Sequence, residues 1–376
     1  MKINNIGEFM SSEILFLLTS TQEPYIKDAL DLLFLPSGLE YRFRYRRKWL
    51  SEQFQDKQIV KKLKNMNALL IHIESKLLNN GAYKITEFIP IRRGKIIDIK
   101  YYGEILWVAF SLEDWIKYTN NEVGLNQHHD YIKSLTPNDS KEYVKQILYF
   151  VQDFKIECIS DSDNEEEIIA NWFNIVKEIS KLEAHKSMNS IFTKFISIKN
   201  LKNGKKILPI RNIYNISEDN SLISSFNFNS NTEYLIEILQ YCANGKIDEP
   251  IKFKIVLDEK NIINLKQEDL IQGRYDILKF VIKTSAIEDD TYSYIQFVKD
   301  EENSKKYIIS EPFIIVKILG NKLRILLSSL SIFIGLLLTG ISSQIIEKGV
   351  ISQGTLVISV IGGIITTIGT YYLRKK

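Results

Sequence analysis

Arginines mark the first stretch of this sequence that could do chemistry. The chain has 49 basic residues, but only ten of them are arginine. In the segment YRFRYRR, Arg42, Arg44 and Arg46 alternate with aromatic residues. Alternate residues of a strand point to opposite faces, so the segment predicts one aromatic face and one face of three guanidinium groups. A guanidinium group binds phosphate or carboxylate through paired hydrogen bonds, which lysine cannot do.

A second basic cluster lies in the segment IPIRRGK, which we expect at a turn between two strands. The two clusters together predict an anion site formed by Arg42, Arg44, Arg46, Arg92, Arg93 and Lys95. A nucleotide messenger, an oligonucleotide or a lipid headgroup fits such a site. The alternatives are a solvated strand face, or arginines that pair with acidic residues elsewhere in the body.

Catalytic chemistry finds little support in the sequence. There is no Gly-rich phosphate loop after a strand, no GxSxG and no HExxH. His128, His129 and Asp130 are adjacent, but sequence neighbours rarely bind one ion without distant ligands, so we expect a polar loop there. Cys158 and Cys242 lack CxxC spacing, which predicts a reducing compartment. We therefore predict a protein that is not an enzyme and holds no metal or cofactor.

The C-terminal residues predict a transmembrane helical hairpin. Residues 325–346 and 349–373 contain no charged residue, and either run is long enough to cross a hydrocarbon core of about 30 Å as a helix. We place the spans at about 325–346 and 350–373. Two buried helices of a soluble core are the alternative, but such helices are usually shorter.

The flanks of these spans predict an orientation. Basic residues precede the first span and follow the second, whereas the connecting turn carries one Glu and one Lys. By the positive-inside rule, the N-terminal body and the C-terminus are cytoplasmic, in a multi-pass protein of the cell inner membrane. Glu8 and Glu13 interrupt the apolar N-terminal residues, so we expect no secretory signal there.

Small and hydroxyl residues recur along both predicted spans. They are Ser328, Ser331, Gly335, Thr339 and Ser342 on the first helix, and Thr355, Ser359, Gly363 and Thr367 on the second. Such stripes allow close helix approach, and they predict a homo-oligomer rather than a lone anchor. Hydroxyl-lined helices could also surround a pore in that oligomer.

The residues before the hairpin predict two cytosolic domains. Their composition is balanced, since 25% of the residues of the whole chain are charged and its net charge is only +3. These values exclude a disordered chain and a globally basic protein that coats nucleic acid. Residues 1–186 mix helical and strand patterns, which predicts an α+β sensor domain. In it, 11–19, 25–35 and a helix after Asp161 read as helices, and 40–49, 68–74, 83–91, 95–102 and 104–110 as strands. Residues 187–319 predict an antiparallel β-sandwich with strands at 234–241, 251–257, 275–283, 292–298 and 307–318.

One local motif sharpens the sandwich prediction. Leu270, Gly273 and Tyr275 in LIQGRY resemble the tyrosine corner of immunoglobulin-like sandwiches, in which the tyrosine hydroxyl binds backbone at a corner between sheets. The resemblance implies an immunoglobulin-like domain over residues 230–318. No Cys…Trp…Cys pattern accompanies the motif, so an antibody-type domain is not implied.

The order of these parts resembles bacterial antiphage-defence membrane effectors, in which a cytosolic sensor controls a short transmembrane bundle. The resemblance is one of architecture and implies an oligomeric, non-enzymatic effector that disrupts the inner membrane when a nucleotide signal or a partner protein reports infection. Two alternatives remain: a membrane-anchored scaffold or adaptor, and a membrane-tethered enzyme whose acidic or His residues converge near the arginines.

Overall fold

The computed structural model contains three β-sheets followed by two long helices. It describes residues 12–19, 23–47, 50, 52–77, 83–118, 148–152, 157–161, 163–216, 219–245, 247–266, 268–300, 306–347 and 353–374. The segment with His128, His129 and Asp130 lies outside these residues, as does the turn between the two long helices.

The first sheet has seven strands and uses the N-terminal half of the chain. Its path is β2-β5-β4-β3-β1-β6, and β7 pairs with β5. The strands are β1 (Ser12–Thr19), β2 (Glu40–Arg46), β3 (Asn67–Leu77), β4 (Tyr83–Tyr102), β5 (Ile105–Ile116), β6 (Leu148–Gln152) and β7 (Cys158–Ile159). β1 runs parallel to β3, while the other pairs are antiparallel. The sheet is therefore mixed.

Two predictions for this region are wrong. The segment 11–19 was expected to be helical, but Ser12–Thr19 is a strand inside the sheet, between β3 and β6. The Arg92–Arg93 pair was expected at a turn, but it lies within the continuous strand β4, where a bulge between Arg92 and Gly94 shifts the register. A turn at Gly103 and Glu104 connects β4 to β5, with Gly103 at φ 57°.

Among the described residues, five helices accompany the first sheet: α1 (Glu23–Phe34), α2 (Glu52–Gln55), α3 (Lys57–Lys62), α4 (Glu165–Ile179) and α5 (Glu183–Ser187). α4 begins as the sequence predicts. Asn164 caps it by accepting a hydrogen bond from Glu166 N, and three glutamates occupy its first turn, where the helix dipole favours negative charge. Its apolar face, with Trp172 fully buried, packs on the core.

Residues 190–319 form two six-stranded sheets. One has the path β14-β16-β12-β8-β18, with β9 paired to β8, and the other has the path β10-β11-β19-β17-β13-β15. The strands are β8 (Ser190–Asn200), β9 (Lys206–Ile207), β10 (Pro209–Ile216), β11 (Asp219–Asn229), β12 (Glu233–Cys242), β13 (Ile251–Leu257), β14 (Ile262–Lys266), β15 (Glu268–Ile271), β16 (Tyr275–Thr284), β17 (Thr291–Lys299), β18 (Ile308–Ile309) and β19 (Phe313–Leu319). The single strand predicted over 307–318 is thus two strands, one in each sheet.

Aromatic side chains join these two sheets. Phe228 of one sheet stacks on Tyr234 of the other with ring centroids 4.2 Å apart, and Phe253 meets Phe280 at 6.2 Å. The tyrosine-corner prediction is wrong, however. The Tyr275 side chain is 69% exposed at the start of β16, so it cannot tie a buried corner. The immunoglobulin-like assignment loses its only local motif and stays a prediction.

Helix α1 fastens the first sheet to the two that follow. Phe34, its last residue, contacts Phe195 of β8 at 6.1 Å and Phe297 of β17 at 5.1 Å between ring centroids. Lys27 pairs with Glu311 at 3.4 Å, and Ser310 Oγ donates to Asp31 at 2.6 Å. The hydrophobic core is consequently continuous from the first sheet into the other two.

The last two helices are α6 (Lys322–Glu347) and α7 (Gln353–Arg374), which pack against each other. Each contains an 18-residue segment long and apolar enough to cross a membrane, Leu327–Gln344 and Gly354–Tyr371. Only 17% of either segment is buried, so these are not core helices of a soluble body. Their exposed apolar side chains, such as Phe333 and Val360, indicate membrane association.

Candidate functional site

Strand β2 presents arginines on one side only. Tyr41, Phe43 and Tyr45 are buried, whereas Arg42, Arg44 and Arg46 are exposed. This is the arrangement that the alternating sequence predicts. The buried rings contact one another, with Phe43 and Tyr45 centroids 4.7 Å apart, and so hold the strand against the core. The three guanidinium groups face solvent because the aromatic face is fixed.

Aromatic and basic residues of neighbouring strands share this side of the sheet. Arg44 pairs in register with Trp107 of β5, and Trp107 with Lys100 of β4. Tyr102 and Arg46 both pair with Ile105. Residues directly opposite in antiparallel strands lie on the same face. We call this surface the Arg–Trp face, and it comprises Arg42, Arg44, Arg46, Lys100, Tyr102 and Trp107.

The Arg–Trp face combines the two chemistries that a nucleotide needs. Trp107 and Tyr102 are 37% and 56% exposed, so both offer ring faces on which a base can stack. Lys100 Nζ lies 5.4 Å from the Tyr102 centroid and 3.0 Å from Asp98, and hydrogen bonds to these two groups raise the pKa of Lys100. Arg42 pairs with Glu40. Arg44 forms no hydrogen bond or ion pair within the described residues, which leaves its donors available to an anion.

Arg92 lies elsewhere, and its predicted place in the anion site is not what the structure shows. Its side chain is fully buried and donates to Leu32 O, Leu35 O, Ser37 Oγ and Glu113 O, at 2.6–3.2 Å. The guanidinium carbon also lies 4.0 Å from the centroid of the Trp115 ring. Burial lowers the pKa of Arg92 to about 10, so it remains a cation. Arg92 therefore binds the C-terminal end of α1 rather than a ligand from solvent.

The other two residues of that cluster are only half-buried. Arg93 pairs in register with Leu69 of β3, and Lys95 pairs with Asn67 of β3 and Ser111 of β5. Ser111 also pairs with Glu40, so Lys95 shares the side of the sheet on which Arg42 lies. The structure thus brings four of the six predicted residues to one side of the sheet and separates Arg92 from them.

Only part of the predicted small-residue stripe lies between α6 and α7. Ser328, Gly335, Ser342 and Thr355 are buried there, and a Cβ atom on Gly335 would lie 2.7 Å from Gly362 O. Ser331, Thr339 and Ser359 are half-buried. Gly363 and Thr367 are exposed, and a Cβ atom on Gly363 would meet nothing within 4 Å. The four buried residues therefore lie in the contact between α6 and α7, whereas Gly363 and Thr367 face outward from the hairpin.

Several hydroxyl groups of the hairpin donate hydrogen bonds to carbonyl groups of their own helices. Ser331 Oγ donates to Leu327 O at 2.8 Å, and Thr367 Oγ1 donates to Gly363 O at 2.8 Å. Thr339 Oγ1 likewise donates to Gly335 O at 3.0 Å. Back-bonding of this kind leaves the oxygen able to accept, so outward hydroxyls such as that of Thr367 retain polar capacity.

The passage from the sheets into the hairpin is short and fixed. β19 ends at Leu319 and α6 begins at Lys322, so only Gly320 and Asn321 lie between them. Gly320 N donates to Asp290 Oδ1 at 3.0 Å, and Asn321 N donates to Ile287 O at 3.1 Å. A Cβ atom on Gly320 would lie 2.7 Å from the Asp289 carbonyl carbon. Glycine is required because the chain passes so close to the turn before β17.

Sequence reasoning missed Trp107, Tyr102 and Lys100. The signal was the alternation in β5, where Trp107 has Leu106 and Val108, both buried, as its neighbours. Its position in this alternation places Trp107 on the exposed side of the strand. No group of three or more His, Cys, Asp or Glu residues that could hold a metal ion occurs among the described residues.

Comparison with known proteins adds no functional information. No family model and no curated protein matches the chain. Among solved structures, WR4, a C. elegans MSP family member, is 14% identical, with a TM-score of 0.18 over 25% of this chain and 91% of that one. A FixG-related protein from Vibrio parahaemolyticus is 10% identical, with a TM-score of 0.17 over 31% and 94%. At these values neither likeness carries an argument.

Proposed function

We propose that this chain is an oligomeric membrane effector, in which a cytosolic body senses an anionic, nucleotide-type ligand and the C-terminal hairpin gates or disrupts the inner membrane. The junction at Gly320 and Asn321 carries the proposal. A passive anchor needs only a flexible tether, whereas here both junction residues are hydrogen-bonded to the 287–290 turn. A displacement of β19 therefore moves the first turn of α6.

The Arg–Trp face is the proposed input. Its exposed guanidinium groups bind phosphate oxygens, while Trp107 and Tyr102 stack on a base. Two-state signalling requires the ligand to favour the active form by about 5.5 kcal/mol if the population is to move from 1:99 to 99:1. Two to three charge-assisted hydrogen bonds, at about 1.5–3 kcal/mol each, supply a difference of that size.

The biological setting of the proposal is antiphage defence. It extends the architectural resemblance: a sensor body, a rigid junction and a hairpin that self-associates. In this setting the body and C-terminus are cytoplasmic, the protein spans the inner membrane twice, and activation depolarises the host cell. The chain itself is proposed not to be an enzyme.

Two glycine substitutions test whether movement of β19 is coupled to α6. The full chain is expressed in bacteria with and without challenge by lytic phages, and membrane potential is followed with a voltage-sensitive dye. We expect wild type to depolarise the cells and Gly320→Ala to depolarise them far less, because its Cβ collides with the 287–290 turn. Gly273→Ala is the matched control, since a Cβ there meets only Tyr275 O at 3.7 Å, an ordinary contact. Intact potential in every strain would favour the scaffold alternative.

A second comparison tests the input face. Arg44→Ala combined with Trp107→Ala should abolish binding of fluorescent adenine or guanine nucleotides to the purified full chain, while leaving membrane insertion unchanged. Lys254→Ala combined with Lys283→Ala removes two cations from the other sheets and should have no effect. Binding that is identical in both double variants would place the sensor away from the Arg–Trp face.

A further inference from the structure

A cavity lies between the first sheet and the two that follow. Its volume is about 280 Å³, and it is lined by the loop after α1, the start of α4, and strands β8 to β11. Its apolar wall includes Pro36, Ile168, Phe195, Pro209 and Phe226. Because both parts of the body contribute to this wall, an occupant contacts both at once.

Lys194 supplies the chemistry of this cavity. Its side chain is only 5% exposed and lines the cavity, 4.2 Å from the Trp115 ring centroid. The ammonium nitrogen lies 3.8 Å from Asp161 Oδ1, beyond hydrogen-bond distance, and within the described residues it has no hydrogen-bond partner. A buried ammonium group with three donors and no acceptor is costly unless something else accepts from it.

Asp161 does not fill this role. Its Oδ1 accepts from Trp115 Nε1 at 2.7 Å and its Oδ2 from Ser37 N at 2.6 Å. Arg92, across Trp115, faces the same carboxylate at 4.0 Å. Lys194, which lines the cavity, and Arg92, which is fully buried behind it, therefore share one carboxylate whose oxygens each already accept a hydrogen bond. The two cations carry one more charge than this carboxylate neutralises.

Charged residues at the rim of the cavity, Asp163, Glu165 and Lys206, limit the kind of ligand that it can bind. Lys206 pairs with Glu165 at 3.5 Å, and Asp163 accepts from Ser160 N. The rim carboxylates oppose a highly charged group such as a polyphosphate, whereas the apolar wall suits a hydrocarbon or ring. One ammonium group at the floor matches one anionic group.

We propose that this cavity binds a small organic monoanion, whose carboxylate accepts hydrogen bonds from Lys194 and whose apolar body packs against the wall. The site is separate from the Arg–Trp face, and the inference does not depend on the proposed membrane activity. Burial lowers the pKa of Lys194 to about 8, with Asp161 opposing the shift and Arg92 and Lys206 adding to it. A bound carboxylate relieves that unfavourable environment.

The test uses the purified full chain in detergent, with benzoate as probe and neutral benzamide as its isostere. We expect benzoate to bind in calorimetry and to raise the melting temperature, and benzamide to bind at least tenfold more weakly. Lys194→Met, whose unbranched apolar side chain is one atom shorter, should weaken benzoate binding at least tenfold. Lys199→Met, on the same strand with a 38% exposed side chain, should bind benzoate as wild type does.

A labelling experiment guards against misfolding of the Lys194 variant. Wild-type protein is acetylated with acetic anhydride near pH 8, and each lysine is quantified by mass spectrometry. Benzoate should slow acetylation of Lys194 several-fold without changing that of Lys199. Benzoate that binds Lys194→Met as tightly as wild type, or that fails both to bind wild type and to protect Lys194, would overturn the proposal.

Discussion

Arg92 shows how burial changes what an arginine does. Leu32 O and Leu35 O lie at the end of α1, where carbonyl groups lack partners within the helix, and Arg92 donates to both. Trp172 Nε1 donates to Leu33 O, between them. A cation at a helix C-terminus is also favoured by the helix dipole. Arg92 thus holds the end of α1 in place by hydrogen bonds. Helix α1 in turn packs against strands of the two later sheets.

Removing this group is expected to destabilise the body. Arg92→Met should lower the free energy of unfolding by about 3 kcal/mol or more, because four buried or partly buried acceptors lose their donor and Asp161 loses a neighbouring cation. Arg44→Ala is the matched exposed change and should stay within about 0.5 kcal/mol of wild type. Urea denaturation followed by tryptophan fluorescence measures both. Equal unfolding midpoints would contradict the assigned role of Arg92.

Two carboxyl groups at the interface of α1 predict a pH dependence. The pKa of Asp31 is raised to about 7 and that of Asp28 to about 6, mainly because both carboxyl groups are buried. The charges of Asp28 and Glu311 also contribute to the raised pKa of Asp31. The folded protein therefore binds more protons than the unfolded chain between about pH 4 and pH 7. The contribution of Asp31 to stability is full below that window and is lost as pH rises through 7.

Asp31→Asn should remove the pH dependence that Asp31 gives to the free energy of unfolding. The amide oxygen still accepts from Ser310 but cannot ionise, so the variant should exceed wild type in unfolding free energy at pH 8 by about 1–3 kcal/mol, at about 1.4 kcal/mol per pKa unit. At pH 4.5 the two should agree closely. Exposed Asp248→Asn serves as the control. A constant difference between Asp31→Asn and wild type across this range would show that Asp31 does not titrate there.

The exposure of Arg42, Arg44 and Arg46 follows from local alternation, and for that reason it was predictable. The burial of Arg92 was not, because its acceptors lie 21 to 60 residues away in sequence. The same holds for Lys194, whose cavity depends on the packing of separate sheets. Local patterns report which side of an element a residue occupies, and distant contacts decide what covers that side.

Strand β1 illustrates the same limit for secondary structure. The sequence SEILFLLT is apolar without a period of two, so it resembles a helix segment as much as a strand. In the sheet it lies between a parallel neighbour, β3, and an antiparallel one, β6. Pairing with β3 and β6, which lie far away in sequence, decides that this segment is a strand. Strands with an exposed face, such as β2, β12 and β13, were predictable because they alternate.

The two hairpin glycines should behave differently. Gly335→Leu places a branched side chain against Gly362 and Thr366, and overpacking of this kind typically costs about 1–3 kcal/mol, so the hairpin should open and lose thermal stability in detergent. Gly363→Leu meets no atom of its own hairpin. It should leave the thermal stability unchanged and reduce the oligomer size, because it blocks close approach of a second chain.

Circular dichroism and multi-angle light scattering separate the two effects. If Gly363→Leu has the oligomer size of wild type, assembly does not use that side of α7. If Gly335→Leu has the melting temperature of wild type, the α6–α7 contact contributes less to thermal stability than its geometry suggests.

For the chain as a whole, the testable expectation is its orientation in the membrane. Residues before α6 and the basic C-terminus should both be cytoplasmic, since the charged flanks outweigh the neutral turn. Protease should digest the body in inverted vesicles and spare it in right-side-out vesicles, as followed with antibodies against tags at either end. Digestion of the body from outside intact spheroplasts would reverse the assignment.

The position of β19 has a mechanical consequence. The strand lies inside its sheet, parallel to β11 on one side and antiparallel to β17 on the other, and it continues after two residues into α6. Tension along that helix pulls the strand lengthwise, perpendicular to its ladder hydrogen bonds, so both ladders share the load at once. An edge strand would instead peel away one bond at a time. For a hairpin that spans the bilayer as proposed, we expect bilayer deformation to reach the sheets through β19 and to move the body without unfolding it.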